Sequence, residues 1–396
     1  MKPYTTINMV LKNNKASINS KKGKVLIALN TAWNLFNFRI GLIHALIADG
    51  YEVVAVAPKD EYASHLTESG CRFISIPMDN KGTHPGRDLL LLIRFWLMLK
   101  QERPDVFLGY TVKPNIYGSL VAHTLGIPVI NNIAGLGTVF IRDAWLTRLV
   151  KLLYMAALSR SRHVFFQNNE DRQLFIGLGL VKSDRTSRLP GSGVDLNQFC
   201  YTPMRLLGGT TFRFLLVARM LLDKGIGEYV EAARIVRRKY PTAKFQLLGF
   251  LDVKNPTAVS KKQMDSWVSE GIVEYLGIAN DVKPYLISAD CVVLPSYREG
   301  VPRSLLEAAA IGRPIIASDA IGCRDVVDDM SNGLLCRVGD ADDLAAKMLI
   351  MIEMSPEKRR EMGLAGRKKM ELEFDEQVVI KCYLDVINTI TYMQSG

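Results

Sequence analysis

Two glutamates and two cations are spaced so that they could hold an anionic ligand rich in hydroxyl groups. Glu299 and Glu307 bound the segment Glu299-Gly-Val-Pro-Arg-Ser-Leu-Leu-Glu307. Arg219 ends an apolar run, and Lys224-Gly-Ile-Gly227 follows it. Carboxylates accept hydrogen bonds from hydroxyl groups, whereas cations and the amides of a helix N-terminus bind phosphates. These residue types suit a ligand that carries both sugar hydroxyls and a diphosphate.

The segment between the two glutamates predicts a turn followed by a helix. Pro302 suits a first helical turn, because its missing N–H would have no partner there. Glu299 then lies just before the helix and Glu307 more than one turn inside it. Gly300 lets a ligand approach the backbone, and the amides that follow point toward it. We expect the ligand to contact Gly300, Val301, Pro302, Arg303 and Ser304 as well as the two glutamates.

Each of these residues alone has a simpler explanation. A glutamate near a helix N-terminus stabilises the helix dipole, and Glu307 could face solvent. Arg219 and Lys224 could be ordinary surface charges. The spacing, the turn and the preceding strand together favour a binding site.

The elements around these residues form a repeating α/β pattern. Short runs rich in Val, Ile and Leu alternate with longer helical stretches from Lys24 onward, which is typical of parallel strands covered on both faces. The predicted strands of a first series are 24–29, 51–57, 72–76, 105–109, 128–133 and 163–167. Those of a second series are 212–218, 244–248, 273–276, 291–295, 314–318 and 333–337. Predicted helices include 38–48, 87–101, 116–125, 145–159, 170–177 and 376–392.

Two consecutive doubly wound series predict two Rossmann-like domains facing a central cleft, where the ligand site is expected. The length of 396 residues suits two domains. We predict a basic, flexible tail at 1–22, one domain at 23–197, a second at 198–375 and a final helix at 376–396. Periodicity leaves open whether that helix returns to the first domain or stays on the surface of the second.

Composition limits the function classes. The chain is 48% hydrophobic and 23% charged, with a net charge of +10, which fits a soluble globular protein with an anionic partner. Zinc-finger spacing and an aromatic RNA-binding consensus are absent, so we expect no nucleic acid partner. The longest apolar run, 89–99, is too short to cross a bilayer. The first 24 residues carry lysines without the apolar block of a secretory signal. The six cysteines lack a C-x-x-C pair, so we expect buried, reduced thiols.

Metal binding is not expected. The D-x-D string Asp340-Ala-Asp342 follows a strand at a helix start, which favours an N-cap over a metal site. The five histidines have no metal-ligand spacing, and His44 and His123 lie in helical segments as packing or surface residues.

The pattern of Glu299 and Glu307 (E-x7-E), with Arg219 and Lys224, resembles the family 4 retaining glycosyltransferases, which have the GT-B fold. The resemblance runs from Val25 to Tyr392. It implies a UDP-sugar donor whose sugar hydroxyls bind Glu299, whose ribose binds Glu307 and whose leaving diphosphate is stabilised by the two cations. Catalysis would rest on Glu299, Arg219 and Lys224, with no metal or other cofactor. The 23–197 domain would bind the acceptor and the 198–375 domain the nucleotide sugar.

Shorter motifs resemble the PglA-like subgroup, which adds N-acetylgalactosamine to a saccharide on undecaprenyl diphosphate. They are Asn37-Phe-Arg39, Pro58-Lys-Asp-Glu-Tyr62, Gly135-Leu-Gly137 and Ser296-Tyr-Arg-Glu-Gly300. The implied function is transfer of a hexose or N-acetylhexosamine, best matched by N-acetylgalactosamine, during O-antigen, capsule or glycan assembly. Many family members carry a histidine after the fifth strand, where this chain has Asn131-Asn-Ile-Ala-Gly-Leu-Gly137. No role for that imidazole is transferred.

Acceptor residues are less marked. Arg39, Lys113 and Asn115 follow strand ends and could grip an acceptor diphosphate, although each also fits a surface group. Gly135 and Gly137 could offer backbone amides to a sugar or simply form a tight turn.

A lipid-linked acceptor implies contact with an anionic membrane surface. The segments Asp88–Lys100 and Arg142–Tyr154 combine apolar residues with Trp and cations, as interfacial helices do. A helix packed on a sheet has the same composition, and we favour that interpretation for Asp88–Lys100 while leaving Arg142–Tyr154 open. We expect a cytoplasmic protein, peripheral on the inner face of the membrane.

Other functions fit the fold less well. A UDP-sugar 2-epimerase needs further carboxylates and a histidine in the cleft, a set that the sequence does not reveal. A non-catalytic nucleotide-sugar-binding protein would bind without releasing UDP. A nicotinamide-dependent dehydrogenase is disfavoured because Asn30-Thr-Ala-Trp-Asn-Leu-Phe36 lacks the G-x-G-x-x-G motif.

Overall fold

The strands form two sheets with parallel pairing. A computed structural model of the chain describes residues 22–79, 84–135, 145–204, 211–251, 253 and 255–395. The first sheet has the strand order β3-β2-β1-β4-β5-β6-β7, and the second has the order β10-β9-β8-β11-β12-β13. Their bounds are β1 Gly23–Ala28, β2 Tyr51–Ala57, β3 Arg72–Ser75, β4 Val106–Tyr110, β5 Val129–Ile133, β6 His163–Phe166, β7 Thr186–Arg188, β8 Arg213–Val217, β9 Lys244–Leu248, β10 Glu274–Tyr275, β11 Cys291–Leu294, β12 Ile315–Ser318 and β13 Gly333–Cys336.

Helices connect most of the parallel strands. They are Ala32–Ala48, Ala63–Glu68, Pro85–Glu102, Ser119–Thr124, Trp145–Leu158, Asn169–Gly177, Ile226–Lys239, Lys261–Ser269, Lys283–Ser288, Arg303–Ile311, Cys323–Val326, Ala341–Glu353, Pro356–Glu373 and Glu376–Ser395. A π-helical turn, Pro114–Gly118, leads into Ser119–Thr124. The order in each sheet reverses beside its first strand, β1 or β8, which is the doubly wound arrangement predicted from the sequence.

The central strands are apolar on both faces because helices cover both sides of each sheet. In β1, Val25 pairs with Val53 of β2 and with Val106 of β4, and all three side chains are almost fully buried. The second sheet repeats the pattern in β11, where Val292 pairs with Leu215 and Ile315. Continuous burial of β-branched residues makes these strands the core of each sheet.

The predicted strands are all present, and each end lies within one residue of the prediction. Two elements of the first series were missed because they carry little apolar signal: strand Thr186–Arg188 has no apolar residue, and helix Ala63–Glu68 has Leu66 as its one large apolar side chain. The first helix begins at Ala32, because the Thr31 side chain caps it by accepting a hydrogen bond from the Asn34 amide at 3.0 Å.

Two smaller predictions have different outcomes. Asp340 is the N-cap of Ala341–Glu353, where its side chain accepts from the Asp343 amide, as predicted. The predicted burial of the cysteines is wrong for two of them, since Cys200 is exposed and Cys382 is half-buried, although none of the six forms a disulfide in the described part of the chain. Cys200 lies in a loop that follows an Asx turn at Asp195, outside the apolar strands that bury Cys291 and Cys336.

The chain divides into two compact units. One holds Met1–Asn132, Leu153–His163 and Tyr383–Gly396, and the other holds Ile133–Leu152 and Val164–Cys382. Within the first unit, Tyr51 Oη donates to Asn388 Oδ1 at 2.7 Å, and Asn132 Nδ2 donates to Tyr383 Oη at 2.7 Å. These bonds attach the end of the last helix to β2 and β5. The boundary near residue 197 stays a prediction, and residues 1–21 of the predicted tail 1–22 lie outside the described residues.

Candidate active site

The loop that carries Glu299 is anchored at the carboxyl edge of the second sheet. It leaves β11 at Pro295 and ends where helix Arg303–Ile311 begins. The Asp223 carbonyl, in the loop after β8, accepts from the Tyr297 amide at 3.0 Å and from Ser296 Oγ at 3.2 Å. The Glu299 amide donates to the Ile321 carbonyl, after β12, at 3.0 Å. Since β8 and β12 flank β11, the neighbouring strand ends fix the backbone of this loop.

Lys224 reaches the same loop because a glycine follows it. Gly225 has φ 73° and precedes helix Ile226–Lys239, and a Cβ on it would lie 2.1 Å from the Pro295 carbonyl oxygen. Both the left-handed backbone and the close approach therefore require glycine. This packing places the turn that carries Lys224 directly against the loop that carries Glu299.

Lys224 and Glu299 form an ion pair through Nζ and Oε1. Their side chains are only 17% and 14% exposed, so little water screens the contact. The structure thus joins two residues that the sequence placed 75 positions apart. A ligand at this pair would meet a cation beside a hydrogen-bond acceptor.

Glu307 is held by its own helix. It is 8% exposed, and Arg303 Nε donates to its Oε1 at 2.7 Å. Burial raises the pKa of the Glu307 carboxyl, and the Arg303 charge opposes that rise. Pro302 is the N-cap, immediately before the helix and not in its first turn, and it provides no side-chain bond to the Arg303 and Ser304 end. The helix therefore presents an oriented carboxylate and an N-terminus without a side-chain cap.

The tip of the loop has a second set of contacts, all within the second unit. Arg298 forms an ion pair with Asp171, which is fully buried. The Val301 amide donates to Gln167 Oε1 at 3.3 Å. A Cβ on Gly300 would lie 2.2 Å from the Ala134 carbonyl oxygen, so this position requires glycine for close packing. These contacts fix the loop residues that flank Glu299.

Sequence reasoning missed Arg298, Asp171 and Gln167. Gln167 ends a predicted strand, and Asp171 lies in the first turn of helix Asn169–Gly177. Both therefore lie at the carboxyl edge of a parallel sheet, where polar residues serve ligand sites. Their position at strand ends was the signal in the sequence that could have identified them as site residues. Burial raises the pKa of the Asp171 carboxyl, with Arg298 acting in the opposite direction.

Arg219 lies in the turn after β8 and is exposed. Within the described part of the chain it has no ion-pair partner, unlike Lys224. Gly135, also predicted, lies near the loop, since a Cβ on it would be 3.8 Å from the Gly300 nitrogen. Gly137 lies outside the described residues.

The three side chains predicted to grip an acceptor diphosphate lie in the first unit, and none is an ordinary surface group. Arg39 is 6% exposed, with its guanidinium 4.4 Å from the centre of the Tyr110 ring. Lys113 Nζ pairs with Asp88 Oδ1 at 2.7 Å. Asn115 is buried, donates to the Asn132 carbonyl and accepts from the Asn131 side chain. Because both groups of the Asn115 amide have protein partners, its arrangement is that of a structural residue.

Among the described residues, no group of three or more His, Cys, Asp and Glu side chains could hold a metal ion. His44 is exposed, and His123 Nε2 lies 2.7 Å from the Ala157 carbonyl oxygen, so the latter packs between helices. None of the helices in the described ranges combines the length and the apolar character that a bilayer crossing requires.

Two adjoining family models match the chain. The model for "Glycosyl transferase 4-like domain" matches residues 41–191, and the model for "Glycosyl transferases group 1" matches residues 211–354. Together they cover most of the sequence, and the chain belongs to this family of glycosyltransferases. It is an enzyme with an α/β fold of two doubly wound Rossmann-like sheets, the GT-B fold. The family, the fold class and the transferase activity expected from the sequence are confirmed.

Individual relatives share most of the chain. The N,N'-diacetylbacillosaminyl-diphospho-undecaprenol alpha-1,3-N-acetylgalactosaminyltransferase of Campylobacter jejuni is 28% identical over 90% of this chain and 96% of its own length. A UDP-Gal:alpha-D-GlcNAc-diphosphoundecaprenol alpha-1,3-galactosyltransferase of Escherichia coli is 27% identical over 72% of this chain and 73% of its own. The crystal structure of Anabaena HepE with UDP and glucose is 17% identical and has a TM-score of 0.75, covering 92% and 99% of the two chains; at that identity it shows the fold alone.

Proposed function

We propose that this glycosyltransferase moves an N-acetylhexosamine or hexose, N-acetylgalactosamine first among them, from a UDP-sugar to a saccharide on undecaprenyl diphosphate. The Lys224–Glu299 contact carries the proposal, because it places a cation for a diphosphate beside an acceptor for sugar hydroxyls. The C. jejuni and E. coli relatives, whose names both specify a sugar linked to diphospho-undecaprenol, support the acceptor class.

The donor diphosphate is the leaving group in this scheme. The bond between the sugar C1 and the diphosphate oxygen breaks while an acceptor hydroxyl forms a bond to C1 on the same face. Because attack and departure occur on the same face, the configuration is retained, and a phosphate oxygen of the leaving diphosphate takes the acceptor proton. Lys224 and the exposed Arg219 offset the charge that develops on the diphosphate. These two cations supply the stabilisation, and we propose that no metal ion is needed.

Glu307 and the N-terminus of its helix complete the donor site. The Arg303 hydrogen bond fixes one Glu307 oxygen and leaves the other oxygen to accept from ribose hydroxyls. The amides of Arg303 and Ser304 lie at the N-terminus of the same helix, where partial positive charge favours an anion. In this proposal Glu299 binds the transferred sugar and Glu307 the nucleoside.

The acceptor diphosphate would be held in the first unit, with Arg39 and Lys113 as the candidate cations. An acceptor on a polyprenyl chain places the reaction at the membrane surface. We therefore propose a peripheral protein on the inner face of the cytoplasmic membrane, in surface polysaccharide or glycan assembly.

A screen of UDP-sugars against undecaprenyl-diphosphate-linked saccharides, with mass detection of the product, tests the proposal. We expect one added N-acetylhexosamine or hexose and release of UDP. Incubation without acceptor controls for epimerisation, since an epimerase would convert the UDP-sugar without acceptor. Full transfer by both Arg219→Ala and Lys224→Ala would show that the donor site is assigned wrongly.

A further inference from the structure

The helix Pro85–Glu102 has two apolar faces. One packs in the core of the first unit through Leu91, Phe95, Met98 and Leu99, which are all buried. The opposite face is open, and five of its side chains are large, apolar and 40–60% exposed. They are Leu89, Leu90, Ile93, Trp96 and Leu97. We call these five residues the open apolar face.

This face is continuous. At about 100° of rotation per residue, its five side chains fall within an arc of about 120° on the helix surface. The other helices of the described ranges expose at most three large apolar side chains each; on Trp145–Leu158 these are Leu149, Leu152 and Met155. The expectation that Asp88–Lys100 is simply packed on the sheet is thus only half right, because packing accounts for one face.

The charges on this helix are sorted by sign. Its two acids face inward: Asp88 pairs with Lys113 at 2.7 Å, and the Glu102 carboxylate is buried and pairs with Arg72. Cations mark the open side. Lys100 lies over the Trp96 ring, with Nζ 4.6 Å from the ring centre, and Arg103 at the C-cap is exposed.

The remaining charged neighbours are balanced or turned away. Arg87 is exposed and pairs with the exposed Asp79 at 2.7 Å. Arg94 donates to the Pro77 carbonyl at 2.8 Å. Among these contacts, Asp79 is the one acid beside the helix that faces solvent, and Arg87 neutralises it. The net charge that borders the open apolar face is positive.

A hollow of about 390 Å³ lies at the C-terminal end of the helix. Its apolar floor and cationic rim are formed by Leu99, Lys100, Arg103, Pro104, Leu125 and Ile127. Such a rim suits a phosphate group, and such a floor suits the hydrocarbon attached to it. The hollow adjoins the Trp96 and Lys100 end of the open apolar face.

We infer that the open apolar face of Pro85–Glu102 docks on the anionic surface of a lipid bilayer. An interfacial helix needs apolar side chains on one side, aromatic and cationic residues at the level of the headgroups, and no unpaired acid facing the lipid. All three features are present here. The inference rests on the proposed function to the extent that a lipid-linked acceptor brings the enzyme to the membrane.

Sedimentation with phospholipid vesicles tests this inference. The variant Leu89→Gln/Leu97→Gln removes two side chains that are 60% and 57% exposed, so their loss leaves the core intact. The matched control Leu372→Gln/Met393→Gln alters two side chains that are 69% and 72% exposed on other helices. We expect the wild type and the control to bind phosphatidylglycerol-containing vesicles, and the first variant to bind at least about tenfold more weakly. Pure phosphatidylcholine should bind the wild type less well, because the flanking cations then lack anionic partners.

Three results would overturn the inference: equal vesicle binding by the two double variants, no binding by the wild type, or a wild-type dimer that Leu89→Gln/Leu97→Gln dissociates without weakening vesicle binding. The last would make the face an interface between copies of this chain. Transfer to a water-soluble, short-chain acceptor separates the two proposals. If Leu89→Gln/Leu97→Gln transfers normally in solution and fails to bind vesicles, the proposed function and the membrane docking both stand. If neither the wild type nor this variant transfers to that acceptor, the proposed function fails, whatever the result for docking.

Discussion

Replacing Lys224 by methionine removes the cation that contacts Glu299 while keeping a side chain of similar length. In the proposed reaction the same cation faces the diphosphate as its negative charge develops. The substitution therefore acts twice: it leaves Glu299 without its partner, and it withdraws one of two charges that stabilise the leaving group. The two effects have different readouts, stability and rate.

The rate effect follows from the low exposure of the pair, which is 17% for Lys224 and 14% for Glu299. Removing one preorganised donor from a largely desolvated site costs about 2.7–4 kcal/mol of transition-state stabilisation, which corresponds to roughly 100- to 1000-fold in kcat. The stability effect is smaller, because both side chains retain some water. A loss of about 1–3 kcal/mol is expected, or a Tm lower by about 2–10 °C.

The assay is UDP release with saturating donor and a lipid-linked acceptor, together with thermal unfolding. Lys239→Met is the matched control, because Lys239 ends the helix that follows Lys224 and pairs with Glu353 at 2.5 Å with 61% and 46% exposure. Exposed pairs contribute little, so its rate and Tm should be near those of the wild type. Glu299→Gln and the double variant complete a double-mutant cycle with Lys224→Met. If Lys224 and Glu299 act as one unit, their effects on kcat should not add.

A kcat for Lys224→Met within about fivefold of the wild type, with a normal Tm, would refute the reasoning, since the lost cation should be worth far more. Full additivity in the cycle would instead show that Lys224 and Glu299 act separately.

Three further predictions concern the same site. Arg298→Ala should lower kcat by about 10- to 100-fold, because a lost hydrogen bond between charged groups costs about 1.5–3 kcal/mol and frees the loop that carries Glu299; Arg324→Ala, in an exposed pair, should have no such effect in the same kinetic assay. Burial raises the pKa of Glu307, so UDP affinity measured by calorimetry should fall as the pH drops through that raised value and the carboxylate is protonated. Glu307→Gln should bind UDP more weakly at neutral pH and show no such pH dependence. If the variant kept the pH dependence of the wild type, the role of Glu307 in ribose binding would be contradicted. Chelation with EDTA should change the transfer rate by less than about twofold, and restoration of a lost rate by Mg²⁺ or Mn²⁺ would show that the two cations are insufficient.

The class of the protein could be predicted from its residues alone. Runs of Val, Ile and Leu separated by helical stretches located every predicted strand to within one residue, because both faces of a parallel sheet are buried. The strand-end positions of Arg219, Lys224 and Glu299 indicated one site, because carboxyl ends of parallel strands meet at one edge. Elements without an apolar pattern, such as Thr186–Arg188, carried no comparable signal.

Which side chains meet depends on how the chain packs in three dimensions. The Lys224–Glu299 pair depends on Gly225 packing against Pro295, and the Arg298–Asp171 pair joins residues 127 positions apart. The exposure of Leu89 and Leu97 could likewise not be predicted from the sequence. A helix with two apolar faces has the same composition whether one face is covered or both are. Contacts between segments distant in sequence, and the exposure of one helix face among the described residues, are properties of packing, which local patterns of residues do not encode.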